Sequence, residues 1–161
     1  MMRVVMLLAG LMWVGCASAP RSAQHPMLHQ PVSLSLPADD GSLVSVPGGS
    51  STYVLDFWAP SCEPCRTATP ALVARKAELQ ARGARLILVG VLEDEESTEQ
   101  GRAVLESWGV RERFLVDRDN ASKSQLGVSS LPATLIVDRT GKLVWVAPAG
   151  ATADEVVAAV P

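Results

Sequence analysis

The chain has 161 residues, with 17 acidic and 14 basic side chains and a formal net charge of −3 at pH 7. That length fits one domain with appendages, and the mildly acidic balance lacks the basic footprint of a nucleic-acid-binding protein. Three cysteines are too few for a disulfide scaffold, so a local arrangement has to carry any cysteine chemistry.

Arg3 followed by the apolar run Val4 to Val14 has the form of an export signal over residues 1–15, too short to cross a bilayer comfortably. Val14-Gly15-Cys16 resembles a lipobox, in which Cys16 would be lipidated and become the mature N-terminus. The rival is ordinary cleavage after Ala17-Ser18-Ala19, for which Pro20 is a poor neighbour. Trp13 stands where a lipobox usually carries Leu. The lipoprotein reading is preferred, and Ala17, where Asp would retain a lipoprotein at the inner membrane, resembles the outer-membrane sorting pattern. Residues 16–31 are polar, Pro-bearing and aperiodic, which predicts a tether. His25, Met27 and His29 could pass for a copper-binding cluster, but Pro26 and the linker composition favour solvated side chains, and no metal site is expected.

The domain proper is predicted over residues 32–161. Val32, Leu34 and Leu36 alternate with serines, Asp39-Asp40-Gly41 turns, and Leu43 to Val46 returns, which together predict a β-hairpin. Gly48 to Ser51 is a connection without the lysine and spacing of a phosphate-binding loop. Tyr53 to Trp58 is then an apolar run rich in β formers. It stops at Pro60-Ser61, and Cys62 and Cys65 follow at the head of a helical pattern.

That spacing puts Cys62 in the first turn of a helix, where unpaired N–H groups and the dipole favour a thiolate. Cys65, one turn on, shares its face and can close a small disulfide with it. Pro64 suits a first turn because its missing N–H would have had no helical partner. The helix is predicted to run to about Arg82, kinked at Pro70. Leu86 to Leu92 reads as a strand buried on both faces. The acidic run Glu93 to Glu96 is taken as a solvated loop, leading to a helix opened by the capping box Ser97-x-x-Gln100, with Val104, Leu105 and Trp108 on its apolar face. Phe114 to Asp117 is a strand and Ala121 to Leu126 a short helix. Leu135 to Val137 and Lys142 to Val146 pair across the turn Asp138 to Gly141. Thr152-x-x-Glu155 caps a last helix bearing Val156, Val157 and Val160. Strands alternating with helices and closing on a hairpin and a helix make a mixed-sheet α/β sandwich.

The stretch Trp58-Ala59-Pro60-Ser61-Cys62-Glu63-Pro64-Cys65 resembles the thioredoxin superfamily, in particular the membrane-anchored TlpA/ResA-like thiol–disulfide oxidoreductases of the bacterial envelope. Gly127-Val128 followed by Leu131-Pro132 resembles that family's cis-proline loop, and Leu135 to Gly141 the strand and turn after it; from the residues alone, a trans Pro132 starting an edge strand is the alternative. The resemblance implies a three-layer α/β/α sandwich with a mixed central sheet and an N-terminal β-hairpin. A C-x-x-C pair alone would equally suit half a zinc site, but the domain offers no further Cys and no His.

Cys62 is then the nucleophile and Cys65 the resolving thiol of a redox disulfide. Asp56, six residues before Cys62, resembles the buried acid of thioredoxins; an apolar neighbourhood would raise its pKa and suit it to accept the Cys65 proton. Trp58 is expected to shield the site and offer partners a flat surface, with core packing as the rival role. Pro60, Glu63, Pro64, Leu131 and Pro132 shape the site, and Pro132 would set its neighbours to pair with a substrate backbone. The Glu63 carboxylate disfavours a Cys62 thiolate and so favours a reductase, with Arg66 opposing it. No cofactor is implied. Implied partners are disulfide-bearing envelope proteins, apocytochrome c among them, a membrane electron donor, and the membrane itself through the lipid anchor; nucleic acid is not among them. The competing class is a redox-inert binding module or copper chaperone, although Sco-like chaperones carry C-x-x-x-C and a distal His. A peroxidase would need a different loop around a single reactive cysteine.

Overall fold

The computed structural model describes residues 25–47, 50–93 and 96–161. The export signal, Cys16 and the first part of the expected tether lie outside them, as do Gly48-Gly49 and Asp94-Glu95.

The alternating apolar residues after Pro31 form β1 (Leu34–Pro37), which pairs antiparallel with β2 (Leu43–Val46) in a sheet of their own. The run before the cysteines is β3 (Thr52–Trp58), with every side chain buried. It leads into α1 (Cys65–Ala74), α2 (Lys76–Ala81), β4 (Ala84–Leu92), α3 (Thr98–Ser107), β5 (Phe114–Arg118), α4 (Ala121–Gln125), β6 (Ala133–Val137), β7 (Leu143–Val146) and α5 (Ala153–Ala159). The main sheet has the order β5-β4-β3-β6-β7. β3 is parallel to β4 and antiparallel to β6, so the mixed α/β sandwich expected from the sequence is the fold observed.

β3 sits in the middle because both of its faces have partners. Val54 packs with Leu72, Leu79, Ile136, Val156 and Val157, which brings α1, α2 and α5 onto one face. Leu55 and Phe57, pointing the other way along the strand, join Leu126, Val128, the hairpin residues Leu34 and Val46, and Val32 just before the hairpin. The hairpin is fastened to the sheet edge: Ala38 bridges Leu115, and the Asp39 N–H donates to the Phe114 carbonyl at 2.9 Å. Arg102 of α3 pairs with Asp39, donates to the Glu112 carbonyl and lies over the Phe114 ring.

Both predicted capping boxes are present, Ser97 with Gln100 and Thr152 with Glu155. The helix after the cysteines differs from expectation. It continues through Pro70 and breaks one turn later at Arg75, where ion pairs to Glu78 and to Asp154 of α5 hold the side chain. β4 is buried continuously only from Leu88 on; before that Ala84 is buried, Arg85 is exposed and Leu86 and Ile87 are half-buried.

Residues 25–31, predicted as solvated tether, lie on the domain. The His29 N–H donates to the Leu143 carbonyl and the Leu143 N–H to the Gln30 carbonyl, while Pro31 bridges Lys142. The segment supplies backbone partners to the outer side of β7, which would otherwise be an open edge. Among the described residues, no helix is long and apolar enough to cross a membrane.

Candidate active site

Beyond Trp58 the chain leaves the sheet through two successive tight turns. The Cys62 N–H donates to the Ala59 carbonyl at 3.1 Å, and the Cys65 N–H to the Cys62 carbonyl at 3.1 Å. α1 begins only at Cys65, with Pro64 as its N-cap in helical conformation. Cys62 therefore stands one turn ahead of the helix, because the Pro60-Ser61 turn uses up the residues that would have extended it. The helix-start field still reaches its sulfur, since the Cys65 N–H lies 3.3 Å from Cys62 Sγ. A donor so placed stabilises a thiolate at that sulfur.

Cys62 and Cys65 are joined in a disulfide, their Cα atoms 5.3 Å apart. Cys62 retains 9% exposure and Cys65 none. Cys62 is thus the less enclosed of the two residues, although it is less open than its sequence position suggests. Glu63 and Pro64 are exposed beside it, and Pro60 is half-buried.

Asp56 lies on β3 at 1% exposure. Two hydroxyls converge on it: Thr69 Oγ1 donates to Oδ2 at 2.8 Å, and Thr134 Oγ1 to Oδ1 at 3.1 Å. Thr134 is the cross-strand partner of Asp56 in the β3–β6 register. Thr69 comes from α1, one turn beyond Cys65. Burial pushes the Asp56 carboxyl up from its usual 3.8 to about 6, and the two hydroxyl bonds restrain the rise. Asp56, Pro64, Ala68, Pro132, Pro148 and Val156 are among the walls of a cavity of about 520 Å³ between α1, the Pro132 loop and α5.

The Leu131–Pro132 peptide is cis, as is Val46–Pro47 at the end of the hairpin. Leu131 and Pro132 are half-buried, and Pro132 and Pro64 face the same cavity. Of the two roles open to Trp58, the structure shows core packing. The side chain has no exposed surface, meets Trp108 and Phe114 edge-on at 5.6 and 5.3 Å, and leaves its indole N–H without a partner. It therefore offers no face to a partner and serves as core beneath the site. His25 Nδ1 accepts from the Met27 N–H, and among the described residues no group of three or more His, Cys, Asp or Glu could hold a metal ion.

Thr69 and Thr134 escaped the sequence reading. Their signals were present but weak: one follows Cys65 by four residues, the other Pro132 by two. Neither spacing reveals a carboxylate without the strand register.

The family model described as AhpC/TSA family matches residues 30–146. Among characterised proteins, the chain is similar to the thiol-disulfide oxidoreductase ResA of Bacillus subtilis, 28% identical over 92 residues, which are 57% of this chain and 50% of that one. It is also similar to the thioredoxin-like protein YneN of the same organism, 30% identical over 112 residues, 65% of each chain. The chain thus spans about half the length of the ResA protein it matches. Of solved structures, the thioredoxin domain of a thiol-disulfide oxidoreductase from Bacteroides vulgatus superposes with a TM-score of 0.67 at 20% identity, covering 83% of this chain and 94% of that one. StoA from Bacillus subtilis superposes at 0.61 and 15% identity, covering 83% and 99%. These likenesses establish a thioredoxin-like fold.

Proposed function

The chain belongs to the AhpC/TSA family of the thioredoxin fold, and on that premise we propose that it is a protein thiol–disulfide oxidoreductase working through the Cys62–Cys65 pair. The observation that carries the reading is the Cys65 N–H aimed at Cys62 Sγ from 3.3 Å, over a resolving cysteine with no exposure. Binding alone gives no reason for a donor on that sulfur; nucleophilic exchange does.

In the reducing direction the Cys62 thiolate attacks one sulfur of a substrate disulfide, and the other leaves as a thiolate. A mixed disulfide remains. The Cys65 thiol passes its proton to the Asp56 carboxylate and attacks Cys62 Sγ. The second substrate thiolate leaves, and the protein ends with the Cys62–Cys65 disulfide. Each turnover moves two electrons to the substrate, so an external dithiol donor must restore the protein.

The reductase direction is favoured by Glu63 beside the nucleophile. Location and partners follow from residues 1–31 and the resemblance stated above: a lipidated Cys16, a position on the outer side of the inner membrane or at the outer membrane, disulfide-bearing envelope proteins such as apocytochrome c as substrates, and a membrane electron donor. Insulin reduction by the purified protein with a dithiol donor tests the activity. Wild type should turn over and Cys62→Ser should not; equal rates would reduce the domain to a binding module. Globomycin tests the anchor, since it should leave the precursor uncut if Cys16 is the processing site. A mature protein beginning at Pro20 would remove the anchor.

A further inference from the structure

Asp56 is a buried carboxyl that no cation among the described residues serves. Its β4 register partner is Leu88, β6 carries no titratable residue, and Asp56 is the one titratable residue lining its cavity. On α1, Cys65 is within the disulfide and Arg66 is exposed. On α5, Asp154 pairs with Arg75 and Glu155 caps its own helix. What faces the carboxylate is a pair of threonine hydroxyls, one from α1 and one from β6, each on a different oxygen.

We propose that Thr69 and Thr134 are positioning residues that hold the Asp56 carboxylate and set the pH range in which it accepts the Cys65 proton. This rests on the oxidoreductase reading and deepens it. Both hydroxyls are bound to buried oxygens and are themselves sheltered, Thr69 with no exposure and Thr134 with 8%, so neither bond competes with bulk solvent. Hydroxyl donors favour the ionised acid, which is the form able to take a proton. Thr69 adds a second constraint. It sits on the same helical face as Cys65, four residues on, so one α1 turn links the resolving cysteine to its proton acceptor. Thr134 fixes the other oxygen from the strand that follows Pro132.

The test uses the reduced full-length protein with Thr69→Val, Thr134→Val and Thr69→Ser. The Asp56 titration is followed by 13C NMR of labelled carboxyls, assigned with Asp56→Asn. Resolution of a preformed Cys62 mixed disulfide is timed in the same variants from pH 5 to 9. Each valine should raise the Asp56 midpoint by about one pH unit. Resolution should slow about tenfold at pH 5–6 and be unchanged at pH 9. Thr69→Ser should restore the wild-type midpoint. An unmoved midpoint in either valine variant, or a rate lowered equally at every pH, would overturn the proposal. A moved midpoint in a protein that exchanges no disulfide would sink the oxidoreductase reading, and with it the role in turnover, while leaving hydroxyl control of Asp56 standing.

Discussion

The backbone N–H of Cys65 lies 3.3 Å from the sulfur of Cys62, so one cysteine places a donor on the sulfur of the other. The donor is fixed by the start of α1 and costs no reorganisation when negative charge gathers on Cys62. Cys65 has no exposure, and among the described residues no donor to its sulfur. Cys65→Ser should therefore trap substrate proteins as mixed disulfides that come off with reductant, while Cys62→Ser should trap almost none. Non-reducing gels of envelope extracts read both; equal trapping would erase the distinction of roles.

Asp56→Asn should make the domain more stable at pH 7 and change it little at pH 3.5. The folded carboxyl titrates at about 6 against a usual 3.8, chiefly through burial. Between those values the folded chain holds a proton that the unfolded chain has released. The stabilising contribution is complete below the unfolded value and is lost as pH rises through about 6. The difference amounts to about 3 kcal/mol. Asparagine keeps the shape without the charge. Urea unfolding at the two pH values measures the effect, and a pH-independent difference would remove Asp56 from the titration. The same substitution should slow disulfide resolution at neutral pH.

Gly90 allows the aromatic group beneath the site to close. A Cβ there would lie 2.9 Å from Phe114 Cδ2 and 3.0 Å from Trp58 Cζ2. Both rings are fully buried and in edge-to-face contact, so neither has room to retreat. Gly90→Ala should destabilise the domain by about 1–3 kcal/mol, read by denaturant midpoint. A midpoint within error of wild type would mean that the aromatic layer is looser than its packing implies.

What the sequence disclosed is what short-range chemistry writes. The strand Tyr53 to Trp58, the turn at Pro60, the cysteine spacing and both capping boxes each depend on residues within a few positions of one another. Asp56 was legible as buried from its apolar neighbours Leu55 and Phe57. Its two hydroxyl partners were not, because they lie 13 and 78 residues away and reach it through a helix–sheet contact and a strand register. The docking of residues 25–31 was hidden for another reason: backbone groups against Leu143 and Lys142 carry much of it, and Met27, which packs against the core, is a single apolar residue with no periodicity around it. For Trp58 the sequence leaves shielding of the site and core packing both open; strand β3 continues through it and carries it into the core. The lone large apolar surface residue among those described, Leu43 at 71% exposure, shows the converse, a β former chosen for a two-stranded hairpin with one side open.

Glu63 gives the last prediction, on the direction of electron flow. It is exposed and directly follows Cys62, so its carboxylate opposes a thiolate there through solvent. A less stable thiolate makes a less stable reduced protein and a stronger reductant. Glu63→Gln should therefore raise the reduction potential, making the pair less reducing. Solvent screening keeps exposed charge effects small, so the rise should be under about 20 mV. It should shrink in high salt, as a surface interaction must. It should also vanish at low pH, where Cys62 is a thiol in both proteins. Glutathione equilibria at two pH values and two salt concentrations would measure this. A fall in potential, or a rise indifferent to salt and pH, would show that Glu63 acts through local structure and has no bearing on direction.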